Sequence, residues 1–221
     1  MTLGRLRRMA GLAANLLAFG AFDLDDPGTR KLFAGGCLVA GSPGPQPVDA
    51  ASIAEHVTYS WYQAKTTGLH PASGKTTAVD PATKANAYSW LKAPRYGGKP
   101  YEVGPLARMW INGDYANGIS VMDRHLARAQ EALKIAQAAR DWLEELVPDG
   151  PVYSAPTIPP SAVGVGLTEA PRGALGHWLD VAGGTIARYQ VITPTTWNAS
   201  PRESRREAAR RTTTSSTPSS R

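Results

Sequence analysis

Cysteine is almost missing from this chain: Cys37 is the only one in 221 residues, alongside four scattered histidines. A lone thiol excludes an internal disulfide, and no Cys/His spacing fits a zinc site. Cysteine usage is therefore silent on redox compartment. Long apolar runs are missing too. The longest, Met9–Phe22, is too short to span a bilayer. No internal repeat is visible. Charged residues make up only 19%, against 42% hydrophobic, which suits a folded soluble protein rather than a disordered one.

The net charge of +6 invites a nucleic-acid reading, but its placement argues against one. Residues 202–221 hold six arginines and two glutamates, a net of +4, while the rest has 18 basic and 16 acidic residues. The body is close to neutral. A basic-tailed nucleic-acid binder would lose its affinity with the tail and depend steeply on salt.

What is plentiful is glycine (22) and proline (18), so short elements with many turns are expected. At the start, Arg5, Arg7 and Arg8 precede the apolar run in the manner of a signal peptide. Leu6, Met9, Ala13 and Leu16 nevertheless follow helical spacing, and a half-buried helix is the expectation for residues 1–22. Arg30–Ala40 reads as a short apolar element, and Gly41–Pro47 as a loop. Ala50–Trp61 reads as a helix capped by Asp49, and Thr66–Thr83 as a loop. Ala85–Leu91 and Gly104–Asn112 are short helical or extended pieces.

The strongest helix is Met122–Val147, started by a capping-box-like Ser120 and Asp123 and stopped by Asp149-Gly150-Pro151. Its apolar stripe (Met122, Leu126, Ala129, Leu133, Ala136, Leu143, Val147) predicts core packing. From Val163 the period shortens, and Val163–Ala170, Leu175–Val181 and Thr185–Thr193 read as strands. Gly183-Gly184 is a hairpin turn, because such turns need positive φ. The expectation is α+β: helix-rich, with one long core helix at about 122–147 and a small antiparallel meander at about 163–193. Residues 202–221 carry no apolar side chain larger than alanine and are expected to be disordered.

The run Gly166-Leu-Thr-Glu-Ala-Pro171-Arg172-Gly173-Ala-Leu-Gly-His177 matches the G-x4-P-R-G-x3-H signature of [NiFe] hydrogenase large subunits. Tyr189-Gln-Val-Ile-Thr-Pro194-Thr195-Thr-Trp-Asn198, Glu102-Val-Gly-Pro-Leu-Ala-Arg108, Tyr88–Arg95 and Gly68-Leu-His-Pro71 also resemble that family, in order. The likeness covers residues 20 to 201, about four-fifths of the chain.

The resemblance implies a nickel–iron centre carrying cyanide and carbon monoxide ligands, which splits molecular hydrogen heterolytically. Electrons would pass to an iron–sulfur small subunit. Arg172 would be the catalytic guanidinium over the open metal position, with Pro171 and Thr195 lining the diatomic-ligand pocket. Taken locally, an arginine between proline and glycine is usually a solvated turn residue, and Thr195 beside Thr196 is strand filling. His177 is expected as a core histidine satisfied by backbone rather than a metal ligand. Cys37 is expected as a buried core thiol.

Both Cys-x-x-Cys motifs that bind the family's metals are missing from this sequence. No metal ligand can be assigned here, and the chain alone is expected to retain no nickel–iron centre. Residues 1–201 then form a partial large-subunit domain. The Arg/Ser/Thr tail at 202–221 is read as a break, possibly out-of-frame translation. Location would follow the partner: cytoplasmic, periplasmic or membrane-associated, with the membrane involved only indirectly. The alternative is a metal-free electron-transfer or structural subunit related to the quinone-reducing respiratory complex.

Overall fold

The computed structural model describes residues 14–25 and 28–203. Four strands come first: β1 (Leu16–Ala18), β2 (Ala21–Asp23), β3 (Lys31–Phe33) and β4 (Gly36–Leu38). They form two antiparallel pairs, β1–β4 and β2–β3. The expected N-terminal helix is thus overturned over residues 16–22, and its first part, 1–13, lies outside the described residues. Leu16, Leu17 and Ala18 are all buried, which a helix with one polar side would not allow. Pairing of Leu16–Ala18 with Gly36–Leu38, far along the chain, outweighs the local helical spacing.

Asp49 does cap a turn, its carboxylate accepting from Ala51 N at 2.9 Å and Ser52 Oγ at 2.9 Å. The turn is a single 3-10 unit, Ala50–Ser52, not the start of a helix through Trp61. Ile53–His56 follows as β5, whose alternation of buried Ile53 and Glu55 is the period of a strand. It pairs antiparallel with β6 (Ala93–Tyr96). Residues 57–92 run as turns and short 3-10 pieces, as expected for the polar, Gly/Pro-punctuated stretch 66–83. The short element expected at Ala85–Leu91 is instead a turn followed by an isolated bridge at Ser89.

Helix α1 (Pro105–Ile111) begins with proline, whose missing N–H costs nothing at a first helical position. Nearly all of it is buried, on β1 and beside α2 (Val121–Glu145). Ser120 and Asp123 close a full capping box, and Tyr115 Oη donates to Asp123 Oδ1 at 2.5 Å. The buried face of α2 differs from the expected one. Asp123, Ala127 and Glu131 face inward, four residues apart, while Leu133, Leu143 and Val147 are 60%, 67% and 76% exposed. Small Ala127 permits close approach, and Glu131 reaches a buried arginine. Polar pairing therefore sets the rotation of the helix.

The meander forms as expected: β7 (Ser161–Ala170), β8 (Gly173–Ala182) and β9 (Thr185–Ile192) in that order. Gly183 and Gly184 turn β8 into β9 with φ of +62° and +72°. A short α3 (Pro194–Asn198) ends the regular structure. The α+β class stands, but "helix-rich" does not. The three α-helices have 7, 25 and 5 residues among the described residues, and strands set the frame. The largest core joins Leu17, Phe19, Ile53, Trp178, Ile192 and Trp197, with Cys37 buried as expected.

Of the segment 202–221, the first two residues are described and make contacts with the body of the chain. The guanidinium of Arg202 lies 4.5 Å from the centre of the Tyr59 ring, and Glu203 accepts from Thr58 Oγ1 at 2.7 Å. Residues 204–221 lie outside the described residues.

Candidate functional site

Two residues, Pro171 and Arg172, make the turn between β7 and β8, since Ala170 pairs with Gly173. Gly176 pairs with Ile192, so the end of β9 and the start of α3 lie at the same end of the sheet. Arg172 and Thr195 are both exposed there. What fixes them is a shared seat. Asn198 of α3 accepts from Val103 N at 3.0 Å and donates to Val103 O at 3.0 Å. Gly173, at φ +134°, rests on the same backbone: a Cβ on it would lie 2.6 Å from Gly104 N. A Cβ on Gly104, at φ +119°, would lie 2.8 Å from the carbonyl oxygen of Arg172. Only glycine permits contact at that range.

Behind the turn lies a buried ion network. Arg108 is 2% exposed in the apolar run Leu-Ala-Arg-Met-Trp of α1. Its Nε and Nη2 donate to Glu131 at 2.8 and 2.6 Å, and Nη1 donates to Glu169 at 2.6 Å. Glu169 also accepts from Phe19 N at 2.6 Å. Burial pushes the Glu169 carboxyl up from the ordinary value of 4.5, and the opposing pull of Arg108 is the smaller effect. Burial would lower Arg108, but its bonds and attraction to Glu131 and Glu169 win and hold it firmly charged. A small cleft of about 150 Å³, lined by Phe22, Phe33, Ile135 and Pro171 among others, opens beside the network.

A second polar cluster centres on Glu55. Lys92 Nζ stands 3.4 Å from Glu55 Oε2, and Gln190 Nε2 donates to the same oxygen at 2.5 Å. Burial raises the Glu55 carboxyl, with Lys92 opposing. Thr196, beside Thr195, lines the cleft above it. His177 is not satisfied by backbone as expected. Its Nδ1 shares a 2.5 Å hydrogen bond with Tyr189 Oη, the two rings stacked at 5.7 Å.

Arg108, Glu169 and Gln190 lie inside the family-like strings, but none of them, nor their partners Glu131 and Glu55, is singled out as functional by the sequence. One signal was available: an arginine inside an apolar helix needs buried carboxylates.

Among the described residues no group of three or more His, Cys, Asp or Glu side chains is placed to hold a metal ion. Cys37 Sγ lies in the core, 3.8 Å from Pro47 O. The donors present therefore do not make a first coordination sphere for nickel and iron, which needs thiolates.

Residues 5–118 and 111–211 match the nickel-dependent hydrogenase family, and the chain belongs to that family. It is 37% identical over 216 residues to the periplasmic [NiFeSe] hydrogenase large subunit of Desulfomicrobium baculatum, covering 86% of this chain and 41% of that one. With the hydrogenase-1 large chain of Escherichia coli it shares 35% over 240 residues, covering 85% and 40%. The solved Ni-Fe-Se hydrogenase of D. vulgaris Hildenborough in its reduced state superposes with a TM-score of 0.82 at 37% identity, over 90% of this chain and 46% of that one. The chain thus spans less than half the length of these relatives. No helix among the described residues is long and apolar enough to cross a membrane.

Proposed function

We propose that this chain is part of a hydrogenase large subunit that oxidises or evolves molecular hydrogen, passing electrons to an iron–sulfur small subunit. The observation that carries the reading is the shared seat. Arg172 and Thr195, 23 positions apart in sequence, are held by one stretch of backbone, Val103–Gly104, at one end of one sheet. A nickel–iron centre with cyanide and carbon monoxide ligands would be completed by thiolates from sequence this chain does not contain.

The chain's own part is the wall facing that centre. Arg172 presents a permanently charged, planar guanidinium whose fork of donors can polarise a small ligand and hydrogen-bond an anionic one. Pro171 keeps the neighbouring surface apolar, and the exposed Thr195 hydroxyl offers one further donor. Cellular location, whether cytoplasmic, periplasmic or membrane-associated, would follow the partner subunit.

Hydrogen-dependent dye reduction and metal analysis of the purified chain test the reading from one side. The expected outcome is no turnover and no stoichiometric nickel, and hydrogen oxidation by the chain alone would overturn it. The other side is complementation. When the family's missing segments and the small subunit are supplied, hydrogen-dependent reduction should appear and should require Arg172.

The metal-free subunit reading draws on the missing cysteines alone. It predicts electron transfer indifferent to hydrogen in the same assay.

A further inference from the structure

We infer that Arg108 is the positioning residue for Arg172: its guanidinium holds the backbone of the turn that carries the proposed catalytic arginine. This rests on the hydrogenase reading only for the role of Arg172, and the geometry stands by itself. An arginine has five N–H donors in one plane. Here all five are used. Nε and one Nη2 donor bind Glu131 as a fork, at 2.8 and 2.6 Å. One Nη1 donor binds Glu169 at 2.6 Å. The remaining two reach the carbonyls of Ala170 and Pro171, each at 3.0 Å.

Those two carbonyls belong to the successive peptide units just before Arg172. The carboxylates aim the fork, and the fork fixes both peptide planes. Glu131 on α2 grips one edge of the guanidinium and Glu169 on β7 another, so the plane cannot rotate without breaking charge-assisted bonds. At the start of α1, the helix that carries Arg108, Gly104 packs its backbone against that of Arg172 and Gly173. The turn is thus held at two points, while the Arg172 side chain stays exposed.

Lysine cannot replace Arg108 in this role. An ammonium keeps the charge but has three donors around one point, too few and wrongly directed for two carboxylates and two carbonyls. Loss of the carbonyl contacts should therefore loosen the turn even where the charge balance is kept.

The test is hydrogen–deuterium exchange on the full chain, comparing wild type with Arg108→Lys. In the peptide spanning residues 168–175, exchange should rise by about 10- to 100-fold, the opening expected from losing two hydrogen bonds to the turn. The far hairpin, residues 179–187, serves as the internal control and should change by less than about twofold, since exchange reports local opening. Backbone amide shifts of Arg172 and Gly173 should move while those of Gly183 and Gly184 stay in place. No rise at 168–175, or an equal rise in both peptides, overturns the assignment.

If Arg108→Lys fails to fold, Glu131→Gln decides. It leaves the guanidinium in place but removes the carboxylate that aims it, and a smaller rise confined to 168–175 is expected. Unchanged exchange there overturns the proposal. Neither measurement needs metal or hydrogen, so a failure here leaves the hydrogenase reading standing. Failure of that reading would leave the clamp intact without its catalytic purpose.

Discussion

Replacing Gly173 with alanine places a methyl group 2.5 Å from Val103 Cγ2 and 2.6 Å from Gly104 N. The second of these is backbone and cannot swing aside. Gly173 also has φ of +134°, where an L side chain is strained at a cost of about 1–3 kcal/mol. Forcing a methyl into filled space adds about 1–3 kcal/mol more. The sum, about 2–6 kcal/mol, is a large part of the ~5–15 kcal/mol that holds a typical domain folded.

Gly183 is the matched control. Its φ is +62°, but nothing lies within 4 Å of an added Cβ. Gly183→Ala should cost only the backbone term, about 1–2 kcal/mol. At roughly 2–4 °C per kcal/mol for a chain of this size, Gly173→Ala should melt several degrees below Gly183→Ala. Thermal and denaturant unfolding of the two variants side by side measure the difference. Equal stability would refute the close approach of the turn to Val103–Gly104, and with it the shared seat.

In a complemented subunit, Arg172→Lys should lower turnover by orders of magnitude while nickel content stays at the wild-type level, because lysine lacks the planar fork. Unchanged turnover would remove Arg172 from the mechanism. Glu169, whose folded carboxyl titrates above the ordinary 4.5 because of its burial, takes up a proton more readily in the fold than in the unfolded chain. Its contribution is therefore fully present below the unfolded value and withdrawn as pH rises through the raised folded value. Glu169→Gln should flatten that part of the pH–stability curve, and an identical slope in both proteins counts against the burial effect. Ser120→Ala removes the side-chain half of the α2 capping box and should cost about 1 kcal/mol in denaturant unfolding. No loss would mean that the Asp123 and Tyr115 contacts suffice alone.

The sequence was most informative where structure is local. The Gly183-Gly184 turn, the three strands around it and the Ser120–Asp123 cap all follow from neighbouring residues. The P-R-G string also located the exposed turn. What stayed hidden depends on distant pairing. Residues 16–22 continue a run whose helical spacing ends at Leu16, yet they form strands, because β4 and β3 complete them. Glu55 sits in a run read as helix, and only β6 reveals its strand period.

The long helix was legible in extent but not in rotation. Its inward face carries Asp123 and Glu131, two residues that composition assigns to solvent. Arg108, on another element, reverses that assignment for Glu131, and Tyr115 with Ser120 does so for Asp123. The candidate site followed the same division. Arg172, Pro171 and Thr195 were visible as motif residues; Glu169 stands in the same string, but its pairing with Arg108, and Glu131 altogether, became visible only with the fold.

The common seat on Val103 and Gly104 also governs how this end of the sheet can move. Two loops hung from separate supports would drift apart and together as the chain breathes. Here Asn198 grips both polar groups of one residue, and Gly173 rides on that residue and the next. A shift of α1 along its axis therefore carries the arginine turn and the threonine helix as a pair. The backbone spacing between Arg172 and Thr195 would then be kept better than the position of either relative to the rest of the sheet.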